Sequence, residues 1–271
     1  MKHAVLVAAL VLLSADAHAQ PTLPLGAPPV YDSRPLGPTP NAPAIKRRIW
    51  APGLNEGYVP QGLTVVGNDV YVSSYLSIDA NQNRGPCRVF KIDIATGLVS
   101  ASLDLPQSCG HAGGMAKGPA NTLYVSDTTT LYEIQLLPLP NLGRVKRTMK
   151  LQGPIKGSYI AGTPEGLWFG EFKRDANATL YHVRYANLSG SIGLSSATKA
   201  VALPSQVQGA EWDQTGKLWI TRSTSKYGEL LRLNAADGVI EARFSLPAAV
   251  EGLSFDQTGA LWTISEAGSK H

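Results

Sequence analysis

"GAEWDQTGKLWITRS" (Gly209–Ser223) and "GLSFDQTGALWTISE" (Gly252–Glu266) are two copies of one plan. Each opens on a glycine, alternates apolar and polar residues, turns on Gln-Thr-Gly and resumes as an alternating strand that carries a tryptophan. A period of two is a strand signal, and a tight glycine-containing turn between two such runs reads as a hairpin. Three earlier stretches follow the same plan: "GLTVVGNDVYVSSY" from Gly62, "GMAKGPANTLYVSDT" from Gly114 and "SYIAGTPEGLWFGEF" from Ser158. Their aromatic residues align as Tyr71, Tyr124, Trp168, Trp219 and Trp262.

A second strand pair follows each of the first four hairpins, as in "RVFKIDIATGLVSASLDL" and "ELLRLNAADGVIEARFSL". No segment offers an amphipathic helix of useful length. Four strands repeated every roughly 43–52 residues predict an all-β propeller, because each unit buries its faces only against its neighbours. The repeat count predicts five four-stranded blades, with six as the alternative. The aligned aromatics are expected to pack between blades. The fifth repeat ends after its second strand, at "ISEAGSKH", and "IKRRIWAPGL" (Ile45–Leu54) is the expected donor of a strand to the last blade, closing the ring.

Residues 1–19 read as a secretory signal peptide: Lys2, an apolar run from Ala4 to Leu13, and Ala17-His18-Ala19 before cleavage at Gln20. Residues 20–44 are a Pro-rich extended leader, in which Val30–Asp32 could pair as a short edge strand, and residues 45–271 are one propeller domain. The chain is expected to be secreted or periplasmic, a monomer, and without a membrane span, since no other segment approaches about 18 apolar residues. Loss of Lys2 and Asp16 leaves the net charge at +4. Its basic clusters, "IKRR" (Ile45–Arg48) and "RVKR" (Arg144–Arg147), read as solvated strand edges and not as a nucleic-acid surface. Cys87 and Cys109, an even pair in an oxidising compartment, are expected to form a disulfide.

Register places the residues of the axial funnel. Gln61, Gly113, Gly157, Gln208 and Glu251 stand just before the innermost strands. Ser74, Asp127, Glu171, Arg222 and Ser265 stand three residues past the aromatics, followed by Tyr75, Thr128, Phe172, Ser223 and Glu266. This polar set has two readings, a wet pore satisfied by water and a site. As a site, Gln61, Gln208, Asp127, Glu171, Arg222 and Glu266 are the candidate ligand contacts, and oxygens converging on an axis suit a hard cation such as Ca²⁺, with Glu251 and Asp127 as its carboxylates. Glu251 and His111 are the candidate catalytic residues, as acid, base or activator of water. His111, in "QSCGHAGGMA" (Gln107–Ala116), has three readings: a turn cap, a funnel residue or a metal ligand. Asp79-x-Asn81-x-Asn83 lacks the glycine and closing glutamate of a calcium loop and reads as a polar loop. His182 falls in an outer strand and reads as structural. No Gly-x-Ser-x-Gly elbow is present.

The starts Gln61-Gly62-Leu63, Gln208-Gly209-Ala210 and Glu251-Gly252-Leu253, the turns Asp213–Trp219 and Asp256–Trp262, and the strand Leu123–Asp127 resemble the six-bladed superfamily of the senescence-marker-protein/gluconolactonase family and the calcium-dependent phosphotriesterases. "GHAGG" and "SEAGS" are similar to uncharacterised exported propellers. The resemblance implies a divalent cation at the axis, held by Glu, Asn and Asp side chains, and hydrolysis of lactones or phosphoesters. Only Glu251 matches that ligand pattern, and Gly113 and Gly157 stand where its Asn ligands are expected. Two functions are therefore expected side by side: binding of a small molecule or protein partner in the funnel, and Ca²⁺-dependent hydrolysis.

Overall fold

A computed structural model describes residues 23–33, 38–77, 85–224 and 226–270. Strands β1 (Tyr58–Val66), β2 (Asp69–Leu76), β3 (Cys87–Asp93) and β4 (Val99–Asp104) form one antiparallel sheet in chain order. The next is built from β5 (Gly114–Lys117), β6 (Thr122–Asp127), β7 (Thr130–Leu136) and β8 (Gly143–Leu151). The third contains β9 (Tyr159–Gly162), β10 (Gly166–Gly170), β11 (Ala178–Arg184) and, after β12 (Ser191–Ile192), β13 (Ala197–Leu203). Strand β12 leaves its own sheet and pairs in parallel with β8, tying the third unit to the second. The fourth sheet is β14 (Val207–Trp212), β15 (Leu218–Thr224), β16 (Tyr227–Leu233) and β17 (Ile240–Leu246). The last unit is the two-stranded sheet of β18 (Val250–Phe255) and β19 (Leu261–Ser265).

The fold is thus all-β, a propeller arrangement of four four-stranded blades and one two-stranded unit. Five four-stranded blades were expected from the repeat count, and the difference lies wholly in the fifth repeat. The strand expected from Ile45–Leu54 does not join it. Ile49 makes a single parallel bridge to Leu25, and Leu54–Glu56 is a turn of 3-10 helix. The leader nevertheless crosses this part of the molecule. Val30 N–H donates to Asn55 Oδ1, Tyr31 Oη donates to the Gly268 carbonyl, and Asn41 Nδ2 donates to the Ser245 carbonyl in β17. Val30–Asp32 makes these side-chain and backbone contacts and forms no strand. Residues 1–22, including the predicted signal peptide, and the polar loop 78–84 lie outside the described residues.

Alternation sends every second residue of a sheet to one neighbouring blade and the rest to the other, so the core is a set of clusters between sheets. Tyr71 packs with Met115, Leu123 and Val125; Tyr124 with Ile160, Leu167 and Phe169; Trp168 with Val207, Ala210 and Leu218. These three aromatics are buried as predicted. Trp219 and Trp262 also pack on the next unit, Trp219 against Phe255 and Trp262 against the cluster of Leu63 and Val65, but are only partly buried. Their indoles are in addition fixed by the turn. Asp213 Oδ2 accepts Trp219 Nε1–H at 2.7 Å, and its Oδ1 accepts the Thr215 and Lys217 N–H groups. Asp256 repeats the arrangement with Trp262, Thr258 and Ala260. The Asp-x-x-Gly-x-Leu-Trp pattern is therefore a hydrogen-bonded hairpin that also anchors the aromatic. The basic cluster on β8 is absorbed by an acid: buried Glu133 holds Arg147 Nε at 2.8 Å and Lys146 Nζ at 3.4 Å.

Candidate functional site

The innermost strands β1, β5, β9 and β14 lie side by side in turn, and β18 lies against both β14 and β1. Their common axis is nearly filled. A cavity of about 10 Å³, close to the least that admits one water, is lined by residues from all five strands, among them Gly62, Gly114, Tyr159, Gly209 and Gly252. Glycine recurs here because the backbones approach too closely for a side chain. A Cβ on Gly114 would sit 2.3 Å from Ser126 Oγ and 2.7 Å from the Ile160 backbone nitrogen. The third unit inverts the pattern, with Tyr159 in the glycine position and its ring seated over Gly170, where a Cβ would fall 2.0 Å away. That register makes Ser158, and not Gly157, the counterpart of Gln61; Gly157 pairs with Thr128 instead.

Directly above this floor the ladder is irregular in three units and regular in two. The β1–β2 register shifts between Pro60 and Gly62, β14–β15 between Val207 and Gly209, and β18–β19 between Val250 and Leu253. The extra residues are Gln61, Gln208 and, within the third shift, Glu251. A bulge turns the inserted side chain out of the sheet's alternation and is a recurrent way of aiming one residue. Here the bulges bring two carboxamides to two carboxylates. Gln208 Nε2 donates to Glu251 Oε1 at 2.9 Å, and Gln61 Nε2 donates to Glu266 Oε2 at 2.8 Å. Gln61 is 1 % exposed and Glu251 5 %, whereas Gln208, Glu266 and His111 are half-buried.

The backbone under these residues is held by contacts from one unit to the next. Ser73 Oγ donates to the Ala112 carbonyl at 2.8 Å, Ser126 Oγ to Gly157 at 2.7 Å, and Thr221 Oγ1 to Glu251 at 2.5 Å. Each hydroxyl lies two residues past the aligned aromatic, so the repeat includes an inter-blade latch worth about 0.5–1.5 kcal/mol per bond. Ala112, Gln206 and Ala249 precede three of the innermost strands in left-handed conformation, with φ of 53°, 63° and 53°. The Ala249 carbonyl accepts the Glu266 N–H at 3.0 Å, which places Glu266 at the mouth.

The electrostatics of the pair are one-sided. Burial raises the Glu251 carboxyl well above the ordinary range, and the charge of Glu266 adds to the rise. Burial raises Glu266 too, against the opposing hydrogen bond from Gln61. No lysine or arginine among the described residues pairs with either acid. Buried Tyr75 lies within electrostatic reach of both: its hydroxyl is pushed up to about 12 by burial and then by Glu266 and Glu251. His111 stacks on the Tyr75 ring, with centroids 4.9 Å apart and planes at 23°. The stack is braced by the disulfide. Cys87 faces Tyr75 across the ladder and is bonded to Cys109, two residues before His111.

Gln61, Gln208, Glu251 and Glu266 thus come together, with Tyr75 and His111 alongside. The other predicted contacts are engaged elsewhere. Asp127 Oδ2 accepts the Gly110 N–H at 2.8 Å, Glu171 pairs with Lys173 at 3.5 Å, and Arg222 binds Glu229 at 3.0 Å and the Ser205 carbonyl. His182 is buried and bonded through Nδ1 to Thr198, as a structural residue. Among the described residues, no three His, Cys, Asp or Glu side chains gather to hold a metal ion. A Ca²⁺ takes six to eight oxygens. The mouth brings two carboxylates, and both Gln side chains turn their N–H groups, not their oxygens, toward them. This donor set does not fit the cation implied by the family resemblance, and no chemical step is derived through one.

No family model matches the chain, and no curated protein sequence matches it. Among solved structures it is similar to the glutaminyl cyclase of Myxococcus xanthus, with a TM-score of 0.54, 14% identity, and coverage of 76% of this chain and 85% of that one. It is more distantly similar to a luciferin-regenerating enzyme (TM-score 0.46, 11% identity, 79% and 87% covered) and to the PQQ-bound aldose sugar dehydrogenase of Streptomyces coelicolor (0.45, 15%, 76% and 74%). At these identities the likeness to the cyclase is one of fold.

Proposed function

We propose that this chain is an exported propeller of five units closed into a ring, with β18 seated between β14 and β1, and that it binds a small molecule at the mouth of the axis. Gln61, Gln208, Glu251 and Glu266 make the polar contacts, and Tyr75 with His111 forms the wall. The observation that carries this reading is the set of three bulges in one register, at Gln61, Gln208 and Glu251, whose side chains bond in pairs, Gln208 to Glu251 and Gln61 to Glu266, over a nearly filled axis. Bulges interrupt ladder bonding, and two of the five units do without them, so the fold itself does not require them. The burial of Gln61 and Glu251 favours a small ligand over a protein partner, whose flat surface does not reach side chains so recessed. A metabolite library screened by thermal shift tests the proposal. Hits are expected to stabilise the wild type and to lose that effect in Glu251→Gln and Gln208→Ala. A library without hits, or hits indifferent to both substitutions, refutes it.

Hydrolysis is the second reading, and one observation favours it: Glu251 is held toward its protonated form, the state a general acid needs. Turnover of lactone or phosphoester substrates that persists in chelator and disappears in Glu251→Gln would support it. The absence of turnover would exclude these substrates.

A further inference from the structure

The mouth is incomplete in a way that specifies what completes it. Glu251 Oε1 and Glu266 Oε2 each take one carboxamide N–H, and the other oxygen of each carboxylate has no partner among the described residues. These two oxygens are not sealed in the core, so a donor arriving through the mouth reaches them, and a carboxylate takes such a donor in a charge-assisted hydrogen bond. The two acids also lack a lysine or arginine partner among the described residues, and a bound cation lets both ionise against the burial and mutual repulsion that otherwise hold Glu251 toward its protonated form.

Three classes of ligand can be compared against these atoms. An anion meets two carboxylates and, among the described residues, no lysine or arginine paired with them. A bare metal ion meets too few oxygens, with amide N–H groups facing the acids. An organic ammonium supplies both a positive charge and several N–H donors, and an aromatic face beside it suits an adjoining cation or alkyl group. The Tyr75 hydroxyl lies within electrostatic reach of both acids and its ring is stacked on His111, so this stack is the aromatic element beside the site.

We infer that the ligand is a small organic cation with a primary ammonium group, whose N–H donors are taken by the free carboxylate oxygens Glu251 Oε2 and Glu266 Oε1 against the Tyr75 wall. The inference rests on the reading of the mouth as a binding site. The class divides sharply from its neighbours: a quaternary ammonium carries the charge without the donors, and an alcohol carries a donor without the charge.

Isothermal titration of the full chain with butylamine, putrescine, free lysine, choline, butanol, butyrate and CaCl₂ tests it. At least one primary amine is expected to bind, choline at least tenfold more weakly, and butanol and butyrate without detectable heat. Glu266→Gln and Glu251→Gln are each expected to weaken the amine tenfold or more while the circular dichroism spectrum and cooperative melt are retained. Silence of all three amines overturns the inference. If Ca²⁺ or butyrate instead binds and is lost in Glu251→Gln, the ammonium class fails while the mouth stands as a site. Amine binding unchanged in both variants overturns the location along with the class.

Discussion

Breaking the Cys87–Cys109 disulfide removes a constraint whose size follows from the loop it closes. The two cysteines are 22 residues apart, and both are 1 % exposed. The loop-entropy relation gives about 11 cal/mol/K for a closed loop of that length, or about 3.4 kcal/mol at 25 °C. For a chain of this size each kcal/mol displaces the melting temperature by about 2–4 °C, so a loss of about 7–14 °C is expected. The effect is also local. The bond holds the turn at Cys109–Ala112 against the start of β3, and that turn carries His111 onto the Tyr75 ring. Urea melts followed by tryptophan fluorescence and circular dichroism, on the oxidised wild type, the reduced wild type and Cys87→Ser/Cys109→Ser, separate the cross-link from the sulfur atoms. With a slope near 3 kcal/mol/M for a protein this large, the midpoint should fall by about 1 M in both the reduced protein and the double variant. A fall below about 0.3 M in the reduced protein would refute the reasoning, since the loop would then be held equally well by its other contacts.

Three further perturbations follow from the geometry. Glu251 has a folded pKa above its unfolded value, so its contribution is fully present below the ordinary carboxylate pKa and is lost as pH rises through the folded one. Glu251→Gln should therefore melt higher than the wild type at pH 8, with the gap narrowing as pH falls to about 4; a gap that widens toward acid contradicts the burial of this carboxyl. Asp213 behaves oppositely: burial raises its pKa, but hydrogen bonds from Thr215, Trp219 and Lys217 outweigh this and bring it to about 2. Asp213→Ala should cost about 1–3 kcal/mol at pH 7, and that cost should shrink as pH falls from about 4 through 2; chemical denaturation at pH 7 and pH 2.5 checks both. Gly114→Ala places a Cβ 2.3 Å from Ser126 Oγ and 2.7 Å from backbone, and should destabilise by about 1–3 kcal/mol or more, whereas Gly153→Ala, on an open turn with φ of 59°, should lose only the smaller cost of left-handed backbone, about 1 kcal/mol.

The strand-turn-strand repeat was legible because a hairpin writes itself in adjacent residues. The alternation, the Asp-Gln-Thr-Gly turn and the aligned aromatics are all local patterns, and the structure places Tyr71, Tyr124 and Trp168 between blades as the pattern predicts. Gln61, Gln208 and Glu251 were placed together by the same register. A local mark accompanies the three bulges: each carries a Gln or Glu before Gly-Leu or Gly-Ala, where the regular units read Gly113-Gly114-Met115 and Ser158-Tyr159-Ile160. The Ser73, Ser126 and Thr221 latches recur at a fixed distance from the aromatics and were equally open to reading.

What the sequence by itself determined is the set of residues each unit brings to the axis, because strand register is counted along a single chain. Partnership between distant units was decided only in three dimensions. Gln61 meets Glu266 across 205 residues, and no pattern in either segment names the other. Ile45–Leu54 had the alternation and position to join the last blade, yet Ile49 bridges Leu25, because local propensity makes a segment able to pair without selecting its mate. The carboxyls of Glu251 and Glu266 owe their raised pKa values to burial and proximity, quantities that exist only once five separate stretches of chain have packed around one axis.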